Sequence, residues 1–175
     1  ILGEVLSQIE RMDATLTSLL ELARDTHGDR RRVDLAVVAP RAAARWAAAL
    51  ADAGREIVVE VESVPGHPPV SEAALDHALD VLLDNALHHG KGTVRLGVDE
   101  IGRAARVTVA DEGRVARGMG PPFERRPDDA SGTGIGLHLA QTLIEAEGGR
   151  LRLTAAPRTT FEVILPLGPG TPPTG

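Results

Sequence analysis

Two runs of alternating apolar and polar residues, separated by a short turn, constrain the fold more than any other feature. The segments "GTVRLGVDEIG" and "ARVTVADEG" lie within residues 92–113, and such alternation predicts two half-buried strands. A second neighbouring pair, "GRLRLTAA" and "TTFEVILPL", follows near the end of the chain. Because neighbouring strands form hairpins, whereas parallel strands need a long crossover between them, this order predicts an α+β sandwich.

Helix signals surround these strands. Pro40 opens "PRAAARWAAALADAG", which Gly54 closes, and Ser71 caps "SEAALDHALDVLLDNALHHG", which Gly90 ends. A third helical pattern follows the glycine-rich "SGTGIG" and stops at a glycine pair. We also predict short strands in "VDLAVV" and in "REIVVEVES", the latter followed by a loop.

The first 27 residues carry a heptad pattern. Apolar residues recur at alternating steps of three and four, at Leu2, Val5, Ile9, Met12, Leu16, Leu19 and Ala23. This seam favours a helix hairpin or a dimer bundle over a helix that packs only on its own domain. At the other end, residues 168–175 read "GPGTPPTG" and are predicted to be disordered.

Composition excludes several classes of function. The chain has 175 residues, no cysteine and a net charge of -6, which argues against disulfides, thiolate chemistry and broad nucleic-acid binding. No apolar run reaches the length of a membrane span. The sequence begins at Ile1 within a helical pattern, so we expect a piece of a longer protein.

One stripe of the helix capped by Ser71 is unusually polar. It contains His77, Asp84, Asn85 and His88, and Lys91 follows shortly after. Asparagine is a poor helix former because its amide competes with the backbone for hydrogen bonds. The stripe is therefore either a solvated face or part of a binding site.

Asp111 ends a strand whose alternation places it on the same face as Val107 and Val109. A carboxylate on a buried face is costly unless a donor reaches it. Two interpretations remain open: Asp111 caps the turn at Gly113, or it is a hydrogen-bond acceptor at the floor of a pocket.

The glycine-rich stretch from Gly132 to Gly136 does not match a dinucleotide-binding fingerprint. A long loop precedes it in place of a strand, and Leu137 occupies the third glycine position. The remaining interpretation is a long loop whose closing backbone amides, together with a helix N-terminus, face an anion.

Four segments in register resemble the N, G1, F and G2 boxes of sensor histidine kinases: "LLDNALHHG", "VADEG", "PPFERR" and "GTGIGL". The resemblance covers residues 33–167 and implies the catalytic ATP-binding domain, which has the Bergerat fold, a two-layer α/β sandwich. Residues 1–30 resemble the second helix of that family's dimerisation and phosphotransfer hairpin.

The resemblance implies a role for each matching position. Asn85 would ligate Mg²⁺, Asp111 would accept from the adenine amino group, and Phe123 would anchor an ATP lid over residues 114–131. The implied nucleotide-binding set is Asn85, His88, His89, Lys91, Asp111, Gly113, Phe123, Gly132, Thr133, Gly134, Ile135, Gly136 and Leu137. No residue is assigned a covalent catalytic role, because phosphoryl transfer rests on positioning and electrostatics.

Three departures from the family pattern stand out. Val81 replaces a second asparagine that often precedes the first by four residues, and Val115 replaces the second glycine of the G1 box. Valine does not readily adopt the positive φ that glycine allows. No histidine precedes His27, so we expect the phosphoacceptor on a helix before Ile1.

The resemblance implies a protein histidine kinase that uses ATP and Mg²⁺, forms a homodimer at full length and passes phosphate to a response regulator. The fragment would be the cytoplasmic portion of a membrane sensor, with no membrane or nucleic-acid contact of its own. Two alternatives remain: a degenerate signalling module that no longer binds ATP, and another Bergerat ATPase such as an anti-sigma-factor kinase.

Overall fold

A computed structural model of the chain describes residues 31–64, 66–113, 135–154 and 158–168. The predictions for the N-terminal helix, for the lid with Val115 and Phe123, for residues 132–134 and for the tail from residue 169 onward lie outside these ranges. The described elements are β1 (Arg31–Arg32), α1 (Leu35–Asp52), β2 (Ile57–Val61), β3 (Pro69–Val70), α2 (Glu72–His89), β4 (Val94–Ile101), β5 (Ala104–Asp111), α3 (Ile135–Ala146), β6 (Arg150–Thr154) and β7 (Thr159–Pro166).

The main sheet has five strands in the order β2-β4-β5-β7-β6. Strands β4 and β5 form one predicted hairpin and β6 and β7 the other, while β5 and β7 join the two hairpins in antiparallel register. The exception is β2, which pairs with β4 in parallel because α2 provides the crossover between them. The short strands β1 and β3 pair with each other, so part of the expected loop after β2 is a strand.

The core lies between one face of this sheet and the helices. Alternate residues of the central strands are buried, for example Leu96, Val109 and Phe161, which are paired across β4, β5 and β7. Helix α2 supplies the predicted apolar stripe, including Leu75, Leu79, Leu82 and Ala86. This two-layer arrangement confirms the predicted α+β sandwich of the Bergerat type.

The start of α1 corrects one prediction. "VDLAVV" is not a strand, and Pro40 does not open the helix but lies inside it. The helix begins at Leu35 because the side chain of Asp34 accepts a hydrogen bond from the Ala36 amide at 2.9 Å and caps the first turn. The buried residues at its start, Leu35, Val38, Ala39, Ala42 and Ala43, follow the helical spacing of three and four.

The caps of α2 and the end of α3 agree with the sequence signals. Ser71 accepts a hydrogen bond from the Ala74 amide at 3.3 Å, and Gly90 follows the last residue of α2. Gly148, two residues after the last residue of α3, has a φ of 79°, which is the left-handed conformation that glycine adopts without strain. Among the described residues, no helix is long and apolar enough to cross a bilayer.

Helices α1 and α2 are joined by a polar ladder on their outer faces. Its members are Arg41, Arg45 and Trp46 on α1, and Glu72, Asp76 and Asp80 on α2. Arg45 contacts Asp76 at 3.1 Å and Asp80 at 3.0 Å, and the indole Nε1 of Trp46 donates to Asp80 at 2.8 Å. The hydrogen bond to Glu72 raises the pKa of Arg41, so this guanidinium stays charged.

Candidate functional site

The candidate site lies where the end of α2, the turn of residues 90–92 and the end of β5 meet. Asp111 stands at its centre with 4% of its surface exposed, and it is the buried polar or charged residue of the described core. Val107 and Val109, on the same face of β5, are buried beneath it. The predicted placement of Asp111 on the core-facing side of the strand is therefore confirmed.

Backbone amides hold the Asp111 carboxylate. Its Oδ1 accepts hydrogen bonds from the Gly113 amide at 2.5 Å and from the Lys91 amide at 3.1 Å. Within the described residues, no cation pairs with Asp111 and no donor reaches its Oδ2. Because each carboxylate oxygen has two acceptor positions, the group keeps capacity to accept a hydrogen bond from a ligand.

Two glycines pack directly against this carboxylate. A Cβ atom on Gly90 would lie 2.8 Å from Asp111 Oδ2 and 2.5 Å from the carbonyl oxygen of Ala86. A Cβ atom on Gly113 would lie 2.6 Å from Asp111 Oδ1. Any larger residue at either position would displace the carboxylate or the backbone beside it. Gly113 was expected at the site, whereas sequence reasoning read Gly90 only as a helix stop.

Further backbone contacts fix the end of β5. The Glu112 amide donates to the Lys91 carbonyl at 2.8 Å, and the Gly113 carbonyl accepts from both the amide and the hydroxyl of Thr159, at 3.2 and 3.1 Å. The turn of residues 90–92 and strand β7 therefore hold the segment after Asp111 from two sides. The lysine contributes its backbone to this arrangement, and its side chain is exposed.

Asn85 occupies the last full turn of α2 and is half-buried. Its side-chain amide makes no hydrogen bond to any residue that the structure describes, so the side-chain oxygen is available to a ligand. His88, one turn later, lies with Nδ1 3.2 Å from Oδ1 of Asp84, and both side chains are nearly half exposed. His89 is also exposed at this helix end.

The first turn of α3 lies against α2 at Val81, one helical turn before this asparagine. A Cβ atom on Gly136 would meet Val81 at 3.4 Å, and Val81 precedes Asn85 by one helical turn. Leu137 is half-buried and packs against the core. The N-terminus of α3, whose amides and dipole favour an anion, therefore lies against α2 about one helical turn before Asn85.

The structure thus brings the described members of the predicted set to one end of the domain, in two groups. Gly136 and Leu137 lie in the first turn of α3, which packs on α2 one helical turn before Asn85, while Lys91, Asp111 and Gly113 lie around the end of β5. His88 and His89 are exposed at the end of α2 between these two groups. Throughout the described ranges, no three His, Asp or Glu side chains group as a metal site would require. A metal ion here would depend on Asn85 and on oxygens supplied from elsewhere.

Comparison with known proteins identifies the family. The profile of the histidine kinase-, DNA gyrase B-, and HSP90-like ATPases matches residues 70–169. The chain therefore belongs to this ATPase family. The relatives it matches are sensor kinases: the sensor protein IrlS of Burkholderia pseudomallei (strain K96243) is 31% identical over 188 residues, which cover 95% of this chain and 39% of that protein.

Solved structures agree with this assignment. The histidine kinase AdeS of Acinetobacter baumannii superposes with a TM-score of 0.68 at 17% identity, covering 95% of this chain and 84% of that one. Full-length ShkA in complex with AMPPNP gives a TM-score of 0.67 at 25% identity, covering 97% of this chain and 39% of that one. The resemblance to the ATPase domain of sensor histidine kinases is confirmed. The chain spans between 12% and 58% of the lengths of the curated relatives it matches.

Proposed function

We propose that this domain binds ATP with its adenine base at Asp111 and its phosphates between Asn85 and the N-terminus of α3. One observation carries the proposal: a buried carboxylate is held by backbone amides on one oxygen while the other oxygen keeps its acceptor capacity. The exocyclic amino group of adenine is a matching donor, whereas guanine has a carbonyl oxygen at the same position. The site therefore selects adenine over guanine.

Mg²⁺ fits the other half of the site. This ion prefers oxygen ligands and keeps several waters, so it often needs only one or two protein ligands beside the phosphates. Asn85 supplies one amide oxygen, and Val81, one turn earlier on the same helix, supplies none. When bound, the ion would neutralise phosphate charge, which is the chemistry that phosphoryl transfer requires. The related ShkA has been solved in complex with AMPPNP, which supports the proposal that this domain binds a nucleotide.

The residues of this chain act by positioning. Asp111 and the glycines beside it orient the base, while the first turn of α3 presents amides to the phosphate oxygens. The proposed phosphate-binding set includes the residues that precede or begin that turn in the sequence, which are Gly132, Thr133, Gly134 and Ile135. The proposed nucleotide-binding set is completed by His88, His89, Lys91 and Phe123. The domain thereby holds the γ-phosphate for transfer, and none of these residues forms a covalent intermediate.

For the whole protein we propose a homodimeric sensor histidine kinase at a cell membrane, with this domain on the cytoplasmic side. The γ-phosphate passes to a histidine outside this chain and from there to a response regulator. The support is that the relatives carry the names sensor protein and sensor histidine kinase. Val81 and Val115 are the residues that favour a module that has lost nucleotide binding, whereas Asn85, Asp111 and the "GTGIG" stretch oppose that alternative. The names of the relatives favour a sensor kinase over an anti-sigma-factor kinase.

Calorimetric titration with ATP and with GTP, each with and without Mg²⁺, tests the proposal. We expect saturable binding of ATP that depends on Mg²⁺, and binding of GTP that is at least about tenfold weaker, which corresponds to roughly 1.4 kcal/mol. Absence of nucleotide binding would favour the degenerate signalling module. Equal affinity for both bases would refute the role of Asp111.

A further inference from the structure

Arg55 connects the start of the sheet to the end of α2. It lies between α1 and β2, and its guanidinium reaches three backbone carbonyls. Nη1 donates to Ala86 and, at 3.3 Å, to Leu87, while Nε donates to Gly92 at 2.7 Å. The Ala86 carbonyl also accepts from the Gly90 amide at 2.9 Å. Carbonyls in the last turn of a helix carry the negative end of its dipole, so a cation beside them is favourable.

These contacts fix both groups of the candidate site at once. Ala86 directly follows Asn85, so the guanidinium holds the turn of α2 that carries the proposed metal ligand. Gly92 ends the turn in which the Lys91 amide donates to Asp111 Oδ1. Gly92 has a φ of 62°, a left-handed conformation that glycine adopts without strain.

We propose that Arg55 is a positioning residue for nucleotide recognition. By holding the turn of residues 90–92 against the end of α2, it directs the Lys91 amide at Asp111 Oδ1 and so aims the other carboxylate oxygen at the base. This inference rests on the proposed function, because it concerns the preference for adenine at the same site. Arg55 acts through the backbone and touches no nucleotide.

Lysine cannot replace Arg55 in this role. The guanidinium presents donors in a fixed plane and reaches carbonyls on the helix and on the turn together, whereas an ammonium group is a single compact charge on a flexible stem. Arg55→Lys keeps the positive charge near the helix end but loses the planar set of donors that reaches the helix and the turn together. The comparison of Arg55→Lys with Arg55→Gln therefore separates charge from geometry.

The first experiment needs no nucleotide. Amide hydrogen exchange, followed by NMR, reports the hydrogen bonds that the Lys91 and Gly113 amides donate to Asp111. We expect exchange of both amides to accelerate about tenfold or more in Arg55→Gln and in Arg55→Lys, since a factor of ten corresponds to the loss of about one hydrogen bond. Arg95→Gln is the matched control, because Arg95 bonds to Glu60 on the exposed face at 3.0 Å.

The second experiment titrates the same variants with ATP and GTP in the presence of Mg²⁺. We expect the dissociation constant for ATP to rise about tenfold in Arg55→Gln while that for GTP changes little, so that the ratio between them falls. Arg106→Gln is the control for a loss of stability without a change at the site. It breaks the two hydrogen bonds to Asp99, of 2.8 and 2.6 Å, and these bonds do not involve the turn of residues 90–92.

The outcomes distinguish the two claims. If the wild-type chain prefers ATP and Arg55→Gln retains that preference with unchanged amide exchange, the positioning role is refuted and the proposed function stands. A lower melting temperature alone, of the kind expected for Arg106→Gln, would make Arg55 a residue of the fold only. If the wild-type chain shows no preference for ATP, both claims are refuted.

Discussion

Carboxylates on helix α2 and near its C-terminal end have two different kinds of partner. On its outer face, Asp76 and Asp80 bind the guanidinium of Arg45 in the ladder with α1, and their side chains are 27% and 40% exposed. Asp111, at the end of β5 near the C-terminus of α2, is almost fully buried. Among the described residues, it accepts hydrogen bonds only from backbone amides. The exposed acids are paired with opposite charge, and the buried acid is not.

This difference reveals which carboxylate is available to a ligand. A partly exposed ion pair contributes about 0–1 kcal/mol, and both of these carboxylates already accept from guanidinium or indole donors. A buried carboxylate without a cation costs stability, and the chain accepts that cost where the second oxygen can meet an external donor. The ladder therefore maintains the helix pair, whereas Asp111 is the carboxylate that we propose for ligand recognition.

The largest expected effect is the loss of Mg²⁺-dependent ATP binding in Asn85→Ala. The amide oxygen is the one protein ligand proposed for the ion, and alanine improves helix propensity, so stability should not fall. Calorimetry with ATP and Mg²⁺, together with thermal unfolding, measures both quantities. Gln141→Ala is the control, since that side-chain amide donates to Glu145 at 2.9 Å on the exposed side of α3. Retained Mg²⁺ dependence would exclude Asn85 as the ligand.

Gly90→Ala should have the next largest effect. Its Cβ would approach the Ala86 carbonyl oxygen at 2.5 Å and Asp111 Cγ at 2.7 Å, although the backbone φ of −80° is allowed for alanine. Overpacking of this kind costs about 1–3 kcal/mol, and ATP affinity should fall with it. In the control Gly66→Ala, the new methyl group meets only the end of Leu167 at 3.4 Å. Equal behaviour of the two variants in urea unfolding would contradict the close packing at Asp111.

Asp80→Asn removes a charge from the ladder and should have the smallest effect on stability and on ATP binding. It weakens the contacts to Arg45 and to the indole of Trp46, which predicts a loss of about 1 kcal/mol in the free energy of unfolding. ATP affinity should stay unchanged, because the ladder lies on the outer faces of α1 and α2. Asp52→Asn, at the exposed end of α1, is the control. A changed ATP affinity in Asp80→Asn would show that the two regions are coupled.

The sequence predicted those parts of the fold that depend on periodicity and caps. The alternation in β5 predicted the inward position of Asp111, and Ser71 and Gly90 predicted the ends of α2. The start of α1 was wrong because Val37 and Val38 suggest a strand locally, whereas burial of the helical face overrides that preference. Contacts between distant segments, such as Gly90 against Asp111 or Arg55 against Ala86, have no local signal and required the structure.

The central proposal is that the second carboxylate oxygen of Asp111 accepts a hydrogen bond from the amino group of adenine. Asp111→Asn tests it directly, since the asparagine oxygen can keep the bonds from Lys91 and Gly113 while its NH₂ group replaces the proposed acceptor with a donor. Titration of this variant with ATP and GTP should show ATP weakened by roughly 1.5–3 kcal/mol, about one to two decades in affinity, and GTP unchanged or tighter. An equal loss for both nucleotides would contradict the account.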